Sequence, residues 1–347
     1  MKIYSISPYH IPENMLLYGL LPDLSRMPRK AAADVSNAVA ELSLCPAGGR
    51  VKFTTDSRFI SISVFLTQAN CNSACDVLSD GVYCGKIGGC EEDVTYNGTL
   101  RLAPDGDCSR AMRTVTVFMP RTAPLAEMQI FLEDGAHVEK PAPYNHEKPL
   151  VFYGSSITMG AASASPSKAY TALVSERLGY NHINLGFGGN AKGELAMAEY
   201  IASLDMSAFV LDYEHNADTL DCLRATHKPF FDTIRAAQPK LPILIISRPD
   251  TDREFLRSCY GRRIIMDTFH AALDAGDRLV DYVDGFYLWG NNNRHLCCIG
   301  DGCHPNELGF EKMAETLAPR LHALLNRNSY EDTMGHDGSD ADFPTHI

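Results

Sequence analysis

Residues 150–160 read LVFYGSSITMG, and the fold is decided by how this stretch is read. Leu150, Val151, Phe152 and Tyr153 form an unbroken apolar run between Pro149 and Gly154, the composition of a strand buried on both faces of a parallel sheet. Gly154 then permits a sharp turn at the strand's carboxyl end, where open α/β sheets place their ligands. Ser156 on that turn faces a crevice and has backbone N–H groups beside it, which makes it a candidate nucleophile.

Downstream, strand-like and helix-like segments alternate. Strands are expected at 182–187, 208–213, 242–247 and 279–286, and helices at 169–178, 193–204, 218–237 and 253–275. The first of these helices has Ser165-Pro166 as its start signal and Gly179 as its stop. Such alternation predicts βαβ units and a parallel sheet with helices on both faces. A last helix begins at Pro305-Asn306 and carries Leu308, Met313, Leu317, Leu321 and Leu325 on one face, and Pro319 inside it predicts a kink or break.

Upstream the period changes. Short β-branched or aromatic runs at 51–55, 59–65, 76–83, 99–102, 113–119 and 128–132 read as strands, and the first 140 residues as all-β, a sandwich of jelly-roll type. Ile60, Ile62 and Val64 alternate with Ser61, Ser63 and Phe65, while Asp80-Gly81 and Asp134-Gly135 are hairpin turn pairs. The proline-rich stretch 140–145 ends this region. The expected organisation is a β-sandwich over 1–145, an α/β domain over 146–327 and an acidic, disordered tail over 328–347.

A chain of 347 residues with 45% hydrophobic and 21% charged residues has ordinary globular composition. Its formal charge of -12 argues against nucleic-acid and anionic-membrane partners, although Glu331, Asp332, Asp337, Asp340 and Asp342 follow the last basic residue, Arg327. The apolar run 15–21 follows Glu13 and has neither a basic flank nor a cleavage site, so no signal peptide is expected, and no stretch reaches the length of a membrane span. Eleven cysteines in such a chain read as reduced thiols of a cytoplasmic protein.

Four pieces fall at the carboxyl ends of successive strands or before the last helix: Gly154-Ser155-Ser156, the glycine-rich 184–190, the segment 212–216 ending in Asn216, and Asp301-Gly302-Cys303-His304. Acyl transfer needs these groups. A serine hydroxyl becomes a nucleophile when a neighbouring base takes its proton, and the base works best when an acceptor holds its other nitrogen. His304 is the candidate base and Asp301 its orienter. The N–H groups of Ser156 and Gly189 and the side chain of Asn216 are candidate oxyanion donors. Glu194, Glu214, His215 and Arg248 are candidate substrate-binding residues.

In combination, GSSIT, NLGFGGN, DYEHNA and DGCH resemble the four blocks of the SGNH (GDSL-type) serine hydrolases, over roughly 150–326. The resemblance implies a flavodoxin-like three-layer α/β domain with Ser156 as nucleophile, Gly189 and Asn216 as oxyanion donors, and His304 with Asp301 as base and partner. The upstream sandwich is similar to that of a two-domain bacterial subgroup, with 76–81 near that subgroup's Gly-x-Asp-Leu-Tyr motif. This likeness implies a short-chain, acetyl-type ester on a carbohydrate as substrate, with neither metal nor cofactor. Ser155 stands where the family usually has Asp, and Ala217 follows Asn216 in place of Asp.

Each residue also has a structural reading: Ser156 or Asn216 as a helix cap, Gly189 as a plain turn, His304 as a residue at a helix start. A zinc site from His295, Cys297, Cys298, Cys303 and His304 competes for the last block, and Cys71/Cys75 and Cys84/Cys90 are weaker metal half-sites. The sparse bulk between Met159 and Ala164 suggests an open or small acyl pocket rather than a long lipid tunnel. An acyltransferase with the same nucleophile and a non-catalytic carbohydrate-binding protein are the rival functions, and homo-oligomerisation is left open.

Overall fold

A computed structural model of the chain describes residues 1–69, 73–89, 93–290 and 292–334, the side chains of 328–334 excepted. The chain begins with β1 (Lys2–Ile6) and β2 (Leu16–Tyr18), then helices α1 (Arg29–Val35) and α2 (Asn37–Leu42). Eight strands follow: β3 (Arg50–Thr55), β4 (Phe59–Leu66), β5 (Cys75–Ser79), β6 (Val82–Ile87), β7 (Thr95–Arg101), β8 (Arg113–Phe118), β9 (Leu125–Leu132) and β10 (Val138–Glu139). They form two antiparallel sheets, ordered β1-β9-β4-β7 and β10-β3-β8-β5-β6, with β2 beside β3. The sheets face each other across one core. Ile60, Ile62 and Val64 point into it from the first sheet and Val51, Phe53, Val115 and Val117 from the second, as the alternation in β4 predicts. Asp80 and Gly81 both have positive φ (49° and 79°) between the paired residues Ser79 and Val82, the geometry of a two-residue type I′ hairpin.

Two expectations for this half are corrected. Asp134-Gly135 is a turn but not a hairpin, because β9 pairs in one sheet and β10 pairs with β3 in the other, so the chain changes sheets there. Nor is the region all-β. Helices α1 and α2 lie in it, and Met27, Ala32 and Val39 pack into the core of the parallel-sheet half. Ser36 caps α2 by accepting the Val39 N–H, but helices this short are held mainly by tertiary burial.

The second half runs β11 (Leu150–Gly154), α3 (Ser156–Met159), α4 (Tyr170–Leu178), β12 (His182–Gly186), α5 (Leu195–Ala202), β13 (Ala208–Asp212), α6 (Leu220–Ala237), β14 (Ile243–Ile246), α7 (Phe255–Asp274), β15 (Val280–Val283), α8 (Gly285–Leu288) and α9 (Glu307–Met334). Its five strands are parallel in the order β12-β11-β13-β14-β15, a flavodoxin-like sheet whose order reverses at β11. Alternate residues of β11 serve the two faces: Val151 and Tyr153 join the core under α5, α6 and α7, while Leu150 and Phe152 join the core under α4 and α9. The result is three layers, with the switch point at the carboxyl ends of β11 and β13.

Of the kink or break expected at Pro319, the break does not occur: α9 runs through the proline. Proline costs a helix interior roughly 3 kcal/mol, but α9 buries Phe310, Met313, Leu317, Leu321 and Leu324 against the sheet, each worth about 1.5–3 kcal/mol. The same helix continues through 328–334, the start of the expected tail; the rest, 335–347, lies outside the described residues. No described helix is long and apolar enough to cross a membrane.

Two glycines set how closely the turn that carries Ser156 packs on the sheet. A Cβ on Gly154 would stand 2.1 Å from Thr158 Oγ1 and 2.2 Å from the Asp212 carbonyl oxygen, and one on Gly186 would stand 2.2 Å from the Met159 amide nitrogen. Gly186→Ala therefore meets backbone, which cannot rotate away. We expect it to destabilise the protein by about 2–3 kcal/mol in urea unfolding, whereas Gly179→Ala, with open space around its Cβ position, carries only the left-handed backbone penalty of roughly 1–2 kcal/mol. Equal losses would show that the close approach at Gly186 is relaxed by backbone movement.

Candidate active site

Ser156 stands in the first turn of α3, directly after β11. The residue before it caps the helix: Ser155, fully buried, accepts a hydrogen bond from the Ile157 N–H at 3.1 Å. The cap is thus Ser155 rather than Ser156, and its hydroxyl does the local work that an Asp would do there. Gly160, at φ 91°, ends the short helix.

The block 301–304 brings the imidazole to this turn. Asp301 Oδ1 accepts the N–H groups of Cys303 (2.8 Å) and His304 (3.0 Å), which folds the loop, and Gly302 takes φ 70°. Asp301 Oδ2 lies 2.5 Å from His304 Nδ1, and His304 Nε2 lies 2.8 Å from Ser156 Oγ. A carboxylate only accepts, so Nδ1 carries the proton and Nε2 presents its lone pair to the serine hydroxyl. Burial would raise the Asp301 carboxyl, but the bonds from the His304 ring and the two N–H groups outweigh it and hold it below the usual range.

Asn216 closes a 3-10 turn (Glu214–Asn216) after β13. Its Nδ2 donates to the Phe187 carbonyl at 2.9 Å, which fixes the amide and leaves its second hydrogen for the cleft. The helix cap considered for Asn216 is instead Thr219, whose hydroxyl accepts the Cys222 N–H. Gly189 has φ 73°, and neither its N–H nor that of Ser156 has a backbone acceptor among the described residues. Ser156, Gly189, Asn216 and His304 all line one cleft of about 570 Å³.

Of the four residues singled out for substrate, His215 and Arg248 line this cleft. Glu194 and Glu214 are not among its lining residues. Glu194 accepts the Tyr153 hydroxyl and the Lys192 N–H, and Glu214 is buried, accepting the Arg248 N–H at 2.7 Å. Burial pushes the Glu214 carboxyl up to about 7. Segment 159–164 does not line the cleft either. It is gripped by the sandwich, through Arg121 to the Ser163 carbonyl and Lys86 to the Ala164 carbonyl. Three of the residues read as a zinc set are otherwise engaged: the His304 ring holds Ser156 and Asp301, Cys297 Sγ faces the Trp289 carbonyl, and Cys298 Sγ faces the backbone carbonyl of His295. Cys71 and Cys90 lie outside the described residues. A different trio, His215, Asp250 and Cys303, has ligand atoms within 4.8 Å of one another. There Arg248 takes both Asp250 oxygens and His215 Nε2 takes one, while burial and Asp250 push the Cys303 thiol up to about 12, so it stays protonated.

In the segment after β14, sequence reading singled out Arg248 and missed the residues that follow it. Asp250, Arg253, Glu254 and Arg257 follow strand four at its carboxyl end, the same position as the other blocks, and the last three line the cleft. That position, together with the charge run 248–254, was the available signal.

The family model of the GDSL-like lipase/acylhydrolases matches residues 147–322. The chain belongs to this GDSL-like lipase/acylhydrolase family. A protein described as a GDSL-like lipase from Bacteroides ovatus is similar in structure, with a TM-score of 0.80 at 24% identity over 94% of this chain and 98% of that one. The salicylyl-acyltransferase SsfX3 of a tetracycline biosynthetic pathway gives 0.73 at 23% over 93% and 97%. A family two carbohydrate esterase from Clostridium thermocellum, in complex with cellohexaose, gives 0.60 at 15% over 96% and 99%. At these identities the likeness establishes the fold, and because it spans both halves, the sandwich and the GDSL-like domain occur together in those proteins. No curated protein matches the sequence.

Beneath the Ser156 turn of this family member lies a buried carboxyl. Asp212 Oδ2 accepts the hydroxyls of Tyr170 (2.9 Å) and Thr158 (3.0 Å), and burial pushes it up to about 6 despite those bonds and the nearby His215. Because its folded value lies above the ordinary 3.8, the folded state holds this proton more tightly, and the stability it contributes is lost as pH rises through about 6. Urea unfolding at about pH 4.5 and about pH 8 should show the wild type losing about 2 kcal/mol more than Asp212→Asn over that interval. Parallel losses would place the ionisation elsewhere.

Proposed function

We propose that the protein is a serine esterase that hydrolyses a short-chain ester, most simply an acetyl ester on a carbohydrate, through an acyl-enzyme. The observation that carries this reading is the continuous relay Asp301–His304–Ser156, at 2.5 and 2.8 Å, opening on a cleft lined by amide donors. Ser156 Oγ attacks the acyl carbon as its proton passes to His304 Nε2, and Asp301 holds the imidazolium. The tetrahedral oxygen is received by the N–H groups of Ser156 and Gly189 and by Asn216 Nδ2. Collapse releases the alcohol, which takes the proton from His304. Water then attacks the acyl-serine, gives a proton to His304, and the acid leaves as that proton returns to Oγ.

The cleft argues for a small acyl group. Ala217 and Cys303 are the apolar side chains among its described lining residues, too little surface to hold a long lipid chain. The carbohydrate part is supported by the fold shared with the cellohexaose-bound esterase, and transfer to an alcohol in place of water by the fold shared with the salicylyl-acyltransferase.

With 4-nitrophenyl acetate as substrate, Ser156→Ala and His304→Ala should each lower kcat by roughly 10⁴–10⁶, and Asn216→Ala should lower it by roughly 10²–10³. A serine-directed phosphonate should label Ser156. Unchanged turnover in Ser156→Ala, or a label on another residue, refutes the assignment. Product partitioning with added sugar alcohol separates hydrolase from transferase.

A further inference from the structure

The same cleft carries a charge that the proposed chemistry does not use. Three guanidinium groups line it, from Arg248, Arg253 and Arg257. Arg248 is spent: Nε and Nη2 donate to the two oxygens of Asp250, and Nη1 reaches Glu254 at 3.2 Å. Arg257 donates Nη2 to the Ala217 carbonyl at 2.5 Å, and its Nε lies 3.7 Å from Glu254, so one arm of its fork remains. Asp218, the other acid of the lining, is neutralised by Lys192 at 2.7 and 2.9 Å. Matched in this way, Arg248 with Asp250, Arg257 with Glu254 and Lys192 with Asp218, the lining leaves Arg253 unopposed. Its exposed side chain makes no hydrogen bond or ion pair among the described residues.

Position adds to charge. Arg253 precedes α7 and Arg257 lies in its first turn, with no side-chain cap on that helix, so the positive end of a 20-residue helix borders the cleft. The chain as a whole carries -12. Its distant acids are screened over about 8 Å at physiological ionic strength, whereas a ligand in the cleft would meet the free guanidinium directly. Ligand pockets are usually walled by apolar and aromatic groups; here no Phe, Tyr or Trp is among the described lining residues.

We infer that the ester taken by this site carries a carboxylate, which Arg253 grips as a fork while the free arm of Arg257 supplies a second donor. A planar guanidinium without a partner matches a carboxylate through two parallel N–H···O bonds, which a neutral hydroxyl cannot reproduce. The inference rests on the esterase reading and narrows it, from esters of sugars in general to esters that bear an acid on the alcohol or on the acyl portion.

Two matched pairs of esters distinguish the two placements of the acid. Acetylated methyl glucuronoside against acetylated methyl glucoside puts it on the alcohol; mono-(4-nitrophenyl) glutarate against 4-nitrophenyl butyrate puts it on the acyl group. The wild type should prefer the acidic member of one pair by at least about tenfold in kcat/KM, a difference of about 1.4 kcal/mol, carried by KM. Arg253→Gln should bring that acidic-to-neutral ratio down to about one, and Arg253→Lys should keep part of it. A ratio at or below about one in both pairs, or a ratio that Arg253→Gln leaves intact, overturns the inference while the turnover itself upholds the esterase. No turnover of any of the four esters sinks the esterase reading and this inference with it.

Discussion

Everything at the site depends on how closely one short turn can press against the end of a parallel sheet. The turn that carries Ser156 fits between β11 and β12 because Gly154 and Gly186 present no Cβ, and what would meet a Cβ is mainly backbone. Asn184, one strand away, completes the clamp: its Nδ2 donates to the Thr158 carbonyl and the Thr171 hydroxyl, and its Oδ1 accepts the Gly186 N–H. A larger residue at either glycine would lift the serine from the sheet and away from the imidazole, which reaches it from a loop nearly 150 residues further along. Close-packed interiors transmit such displacements rather than absorbing them.

Charge is arranged in two tiers beneath and beside this turn. Asp212 and Glu214 lie deep enough that burial raises their carboxyls towards neutrality, so they act as hydrogen-bonded spacers as much as anions. Asp250 is buried as well, yet burial loses there: His215 and the bidentate Arg248 hold it far below the carboxylate range. The difference is the partner. Asp212 meets only tyrosine and threonine hydroxyls and Glu214 a backbone N–H, neutral donors whose pull burial outweighs, whereas the guanidinium fork on Asp250 brings a full positive charge.

The N-terminal half is fastened to the GDSL-like half beside the candidate site. Arg26, on the segment leading to α1, is buried over the Phe187 ring and donates to the carbonyls of Gly186 and Leu42, so the glycine-rich block is held from outside the sheet. Burial lowers this guanidinium to about 10, and it remains charged at neutral pH. Asp76 on β5 accepts both the N–H and the hydroxyl of Ser167, a few residues past α3. These contacts tie the N-terminal half to the loops on either side of Ser156.

Much of this was legible in the chain itself. Periodicity of two in β4 and the unbroken apolar run of β11 separate an antiparallel sandwich from a parallel sheet, because one surface is half wet and the other buried on both faces. The four blocks could be read because each is a local pattern, a glycine where the backbone must turn or an acid three residues before a histidine. By contrast, α1 and α2, the unbroken path of α9 through Pro319, and the sheet change at Asp134-Gly135 are settled by burial against segments far away in sequence, which no local pattern records. The cleft follows the same division. Sequence by itself determined which groups could perform acyl chemistry; only the tertiary structure decided that Glu214 is buried away from the cleft and that Arg253 is left without a counter-charge in it, because burial and ion pairing are properties of neighbours in space.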